Sequence, residues 1–147
     1  MGYNSYFSND EYRVRSSINY YQNEIDSKEN EINAIQTKID RLVAVRDSIV
    51  VYKNNVREEK SRINKNKNDY SESTDWNGSR HDRFMSEYCD TLIVDYKAYY
   101  DQIDCIHDAL NNEIARLQNS IYEKDGILGW LRARLNDCWT WLNNLTN

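Results

Sequence analysis

A seven-residue hydrophobic repeat runs through most of this chain and constrains its fold more than any other feature. In the first half, Val14, Ile18, Tyr21, Ile25, Ile32, Ile35, Ile39, Leu42, Ile49, Val56 and Ile63 fall on steps of three and four, with Lys28, Arg46, Lys53 and Lys60 in seam positions left over. In the second half, one column runs Ile93, Tyr100, His107, Ile114, Ile121, Leu128, Leu135, Leu142. Its companion runs Cys89, Tyr96, Ile103, Leu110, Leu117, Lys124, Leu131, Cys138, Leu145. A repeat of this kind specifies helices that bury a narrow stripe against another helix. The chain has no proline and only four glycines in 147 residues, so little in its backbone chemistry obliges a helix to stop.

The pattern lapses once, at "NDYSESTDWNGS". Serines, Asp75, Asn77 and Gly78 are turn formers, and Gly78 can take a positive φ without steric cost. Trp76 then reads as an apolar plug over the end of the seam, with Ser79 or Asp75 as cap of the next helix. At the other end "SNDE", Ser8 to Glu11, spells a capping box. The prediction is one domain over residues 1–147: helix 1 at about 9–68, a turn at about 69–79 and helix 2 at about 80–143. Gly126 and Gly129 mark either a kink or a close approach, and the surviving heptad phase favours a continuous or slightly bent helix.

Two helices of about 60 residues would each reach roughly 90 Å. Folding at the chain's midpoint pairs residue i with about 148 minus i. On that register Phe7 faces Trp139 and Trp141 as an aromatic cluster at the open end, and Tyr21 faces Ile127 and Leu128. The fold class predicted is therefore all-α: an elongated, antiparallel, coiled-coil-like two-helix hairpin with a Trp-x-Gly turn. A parallel dimer of one very long helix would leave the lapse unexplained.

Composition narrows the function classes. A formal net charge of -5 with no concentrated basic patch argues against nucleic acid as a partner. Twelve tyrosines and four tryptophans argue against disorder. "MGYNSYFSNDEY" lacks the basic start and apolar core of a Sec signal, and no window approaches ~20 apolar residues, so the expected product is made in the cytosol. Cys89, Cys105 and Cys138 are 16 and 33 residues apart, roughly 24 and 50 Å along one helix, and read as reduced thiols.

No catalytic or metal-ligating constellation stands out, and no cofactor is implied. His81 and His107 are about 39 Å apart along a helix, which excludes a shared metal. His107 on the seam reads as a polar layer that fixes register. Cys105 and His107 point to different faces, which removes a Cys-His nucleophile pair. The basic stretch "VREEKSRINKNKN" complements the negative end of helix 1. The three tryptophans of "GWLRARLNDCWTWLNNL" read as packing against the aromatic N-terminus in preference to a membrane.

A two-helix seam needs only two apolar columns per helix, and this chain has more. Val43, Val45, Val50, Val51 and Tyr52 widen the stripe on helix 1; Leu92, Tyr99 and Ile106 add a third column beside Ile93, Tyr96, Tyr100 and Ile103. The surplus predicts a docking surface for a partner helix or hairpin, centred on Val43, Val50, Val51, Tyr52, Leu92, Ile93, Tyr99 and Tyr100. A thicker intramolecular core is the alternative use of the same residues.

A Trp-x-Gly turn, Trp76 and Gly78, between two heptad helices resembles the WXG class of type VII secretion proteins. "WNGSRHDRFMSEY" and "YKAYYDQIDCIHDALNNEIARLQNSIYEKDGILGWLRARLN" are similar to its longer YwqH-like branch, with Phe84 after the turn, then Ile114, Leu117 and Ile121, then Gly126 and Gly129. The resemblance covers essentially the whole chain. It implies a non-enzymatic helical hairpin of a Gram-positive bacterium that binds the helical N-terminal domain of an LXG toxin for type VII export, with a second small helical protein or a homodimer as further arrangements. The chain departs from that class in one respect. Its Tyr-x-x-x-Asp/Glu matches, Tyr6/Asp10, Tyr20/Glu24 and Tyr100/Asp104, all lie away from the C-terminus, so whether it is itself secreted stays open. The alternatives to an export partner are a homo-oligomeric structural coiled coil or spacer and, third, a helical effector acting at membranes.

Overall fold

The computed structural model describes the backbone of residues 3–72 and 78–147 and the side chains of residues 9–69 and 78–147. The fold is all-α, a helical hairpin, with no strand among the described residues. The elements are α1 (Tyr3–Glu72), α2 (Ser79–Arg83), a π-helical segment π1 (Phe84–Asp90) and α3 (Thr91–Thr146).

Helix α1 starts six residues before the position that the capping box predicts. Ser8 lies inside it, and Glu11, instead of reaching back to a cap, accepts from Arg15 one turn on at 2.9 Å. Residues 3–8 contain neither glycine nor proline, so the helix continues through them. Gly78 has φ +102°, where a side chain would be strained, and its carbonyl accepts from the Asp82 amide at 3.0 Å. It precedes α2 with no side-chain cap, so the capping expected of Ser79 is not made. Trp76 and Asp75 lie outside the described residues. Helix α3 is continuous through Gly126 and Gly129, and a Cβ at either would meet nothing within 4 Å, so neither a break nor a close approach within this chain explains them.

The π-helical segment follows from a local fault in the repeat. His81, Met85, Cys89 and Ile93 are spaced by three successive steps of four. In an α-helix each such step overshoots a turn, and the row drifts off the seam. The wider π turn holds more residues, so the row stays on one face. Cys89 is buried, and His81, Met85 and Ile93 are half-buried accordingly.

The chain divides into two compact units. Unit 1 comprises Met1–Asp40 with Ala115–Asn147, and unit 2 comprises Arg41–Ile114. In unit 1, Val14 (1% exposed) and Ile18 pack with Leu142, flanked by Leu135, Cys138 and Leu145. A second cluster joins Ile25 to Leu128 and Leu131, flanked by Tyr21, Ile32 and Leu135. Arg132 donates to Glu29 at 2.9 Å and Lys124 to Glu31 at 2.6 Å. The Glu31 carboxyl is held below its ordinary range, first by that bond and then by Lys28. The described core of this unit is thus mainly aliphatic. Trp139 and Trp141 are 41% and 51% exposed, and the aromatic cluster expected of them involves the Phe7 side chain, which lies outside those described.

Unit 2 is an antiparallel helix pair with a measurable register. Arg46 donates to Asn111 at 3.1 Å, Lys53 to Asp104 and Lys67 to Asp90, and each pair of residue numbers adds to 157. The register centres on residues 78 and 79, beside the positive-φ glycine, and not on the chain's midpoint. The pairing of i with about 148 minus i is therefore displaced by about two and a half helical turns. The cross-seam bonds, and not equal division of the chain's length, define this register.

Candidate binding surface of unit 2

The seam of unit 2 carries a cation at every seventh residue of α1: Arg46, Lys53, Lys60 and Lys67. Three of them reach across to a row on the facing helix with the same spacing, Asn111, Asp104 and Asp90. The bond between Lys53 and Asp104 raises the lysine's pKa and lowers the carboxyl's. The Lys53 ammonium also sits 5.1 Å from the centre of the Tyr100 ring. The row on α3 is broken at Lys97, which stands opposite Lys60 on this register and turns along its own helix to Asp101 at 3.3 Å. A polar layer completes the seam, with Asn111 between Arg46 and His107, the last at 3.4 Å.

A seam so rich in charge leaves little apolar surface in the interior. The buried hydrophobics described for unit 2 are Cys89, Ile103 and Ile114, whereas unit 1 buries Val14, Ile18, Ile25, Ile39, Leu117, Leu128, Leu131 and Leu142. Leu42, Ile49, Val56, Ile63, Ile93 and Leu110 are only half-buried in the seam, and other apolar side chains of unit 2 are outside. They are sorted by heptad geometry, because residues just before and just after a seam column lie on opposite sides of a helix pair. One side carries the cross-seam bonds. The other carries Val45 and Tyr52 from α1 and Leu92, Tyr99 and Ile106 from α3, all exposed, with Tyr52 at 65% and Tyr99 at 56%. An open groove of about 350 Å³ on this side is lined by Leu92, Asp95, Tyr96 and Tyr99.

The eight residues singled out from sequence do not share one face. Tyr52, Leu92 and Tyr99 belong to the apolar side. Val43, half-buried, and Val50, exposed, flank the charged side, and Val51 is exposed on the back of α1. Ile93 and Tyr100 are half-buried in the seam itself. Val45 and Ile106 complete the apolar side, and assigning them to it requires the register as well as the periodicity. The two halves of the surplus are staggered along the pair and overlap only near Tyr52 and Ile106, since residues 42–52 lie opposite 105–115.

Among the described residues no group of His, Cys, Asp and Glu could hold a metal ion, and no described helix is long and apolar enough to cross a membrane. Cys89, Cys105 and Cys138 are free. The fold is an all-α hairpin, and among the described residues its unit 2 leaves an apolar side uncovered. A family model described as YwqH-like matches residues 16–138, and the chain belongs to the YwqH-like family. Neither the curated proteins nor the solved structures contain a significant match to it.

Proposed function

We propose that this protein is a non-enzymatic helical partner that binds the N-terminal LXG domain of a toxin and accompanies it into type VII export. The observation that carries the reading is the inversion in unit 2, where a seam of cations leaves tyrosine, valine, leucine and isoleucine on one outer side. Apolar patches of several hundred Å² on a small protein serve interfaces more often than solvent. Tyrosine suits a surface that is wet before binding and dry after it. A partner hairpin laid on this side would complete a helical bundle. The chain belongs to the YwqH-like family, and the resemblance of its sequence to that branch of the WXG class implies the same role.

The test is the mass of the purified protein in solution, alone and co-expressed with the LXG domain of a toxin encoded beside its gene. The reading expects a defined hetero-complex that the double variant Tyr52→Glu/Tyr99→Glu loses while keeping its helical circular dichroism. A tight homodimer that ignores the LXG domain would replace it with a structural coiled coil.

A further inference from the structure

Asp95, on the apolar side of unit 2, is a carboxylate that its own fold leaves unanswered. Asp90 at the end of π1 and Asp101 and Asp104 on α3 are each bonded by a lysine, from Lys67, Lys97 and Lys53 respectively. Asp95 has no hydrogen bond or ion pair among the described residues, although it lies one turn from both Leu92 and Tyr99 and lines the groove with them. The acid is exposed, so water satisfies it in the free protein. A partner helix covering Leu92, Tyr99 and Ile106 would remove that water from Asp95 too. A buried carboxylate without a counter-charge is among the most costly groups an interface can contain.

We infer that the groove is built to take an arginine or lysine side chain from a helix of the partner. Its stem would lie on Leu92 and the rings of Tyr96 and Tyr99, and its N–H groups would donate to the Asp95 carboxylate. Tyrosine faces attract a cation, and an arginine fork can stack on a ring while bonding a carboxylate at its edge. The inference rests on the proposed partner role and adds the partner's chemistry to it: a helix with aliphatic residues over Val45 and Ile106 and a cation over Asp95.

The affinity of the full chain for the LXG domain, measured by calorimetry between about 50 and about 500 mM salt, tests this. Asp95→Asn is expected to weaken binding at least ~10-fold and Asp95→Lys further, with a shallower salt dependence than wild type. The free Asp95→Asn chain should melt where wild type does, since no internal bond is lost. If Asp95→Asn binds as tightly as wild type, the cation site is overturned and the partner role stands. If wild type binds no LXG domain at all, the partner role fails, and the cation site falls with it.

Discussion

The Lys53 ammonium and the Asp104 carboxylate join across the seam of unit 2, and the same lysine lies against the ring of Tyr100. A single cation thus helps hold the register while occupying a position that a simpler coiled coil would give to leucine. Its bond links stability to pH in a definite direction. The Asp104 carboxyl is held below its ordinary 3.8, chiefly by the hydrogen bond from Lys53 and then by the lysine's charge. That contribution is present above the unfolded carboxyl's pKa and is lost as pH falls through the lower folded value. Lys53 is raised above 10.5, chiefly by the same bond, so its share is complete below the unfolded amine's pKa and lost as pH rises through the folded one. Melting temperature against pH, compared between wild type and Asp104→Asn, should show the difference shrinking at both extremes. A difference that stays constant down to the acid limit would contradict the pairing.

Lys60 and Lys97 stand opposite each other in a row whose other rungs bond cation to acid or amide. Lys97→Asp should complete the row, at the expense of the exposed bond between Lys97 and Asp101. A partly exposed pair contributes up to about 1 kcal/mol, so a rise in melting temperature of about 1–4 °C is expected at low salt and should fade at high salt. Scanning calorimetry at two ionic strengths checks it; an unchanged or lower melting temperature at low salt would refute the register at that rung.

Gly126 and Gly129 lie within a continuous helix with open space where a Cβ would be. Gly126→Ala and Gly129→Ala should each stabilise the chain by up to about 1 kcal/mol, from helix propensity and a less free unfolded chain. Urea denaturation measures this directly. A loss of stability in either variant would mean that the glycine is needed by a packing contact within the chain.

The aliphatic core of unit 1 makes a sharp contrast with its tryptophans. Leu142 is buried with Val14 and Ile18, whereas the neighbouring Trp141 is half exposed. Leu142→Ala should cost about 2–5 kcal/mol, and Trp141→Ala under about 1 kcal/mol despite removing the larger side chain. Equal losses in denaturant midpoint would show that Trp141 is packed as firmly as Leu142, as the aromatic cluster suggested by the sequence requires.

The helices and their seam were legible because period and burial express the same geometry, and Val14, Ile18, Ile25, Leu128, Leu131 and Leu142 are core residues on both grounds. Register was not legible, because a heptad seam can slide by whole repeats with little change in its own pattern. What marks it here is the row of polar partners at Asp90, Asp104 and Asn111, a seven-residue spacing that only becomes a signal once the cations opposite are known. The π-helical segment was written in the steps from His81 to Ile93, as a run of fours where threes and fours should alternate. The candidate surface was half legible. Its excess of apolar residues shows in the count, but periodicity without register cannot tell Val50, beside the ion pairs, from Tyr52, on the apolar side. Asp95 was silent in the sequence, since an exposed acid is unusual only once its neighbours are seen to be paired.

Hydrogen exchange of the chain, free and with the LXG domain, tests the central claim most directly. In the free protein residues 41–114, with the thinner core, should exchange faster than residues 1–40 and 115–147. With the LXG domain, protection should rise around residues 45–52 and 92–106, where the apolar side lies. No gain in protection, or a gain confined to residues 1–40 and 115–147, would contradict the account.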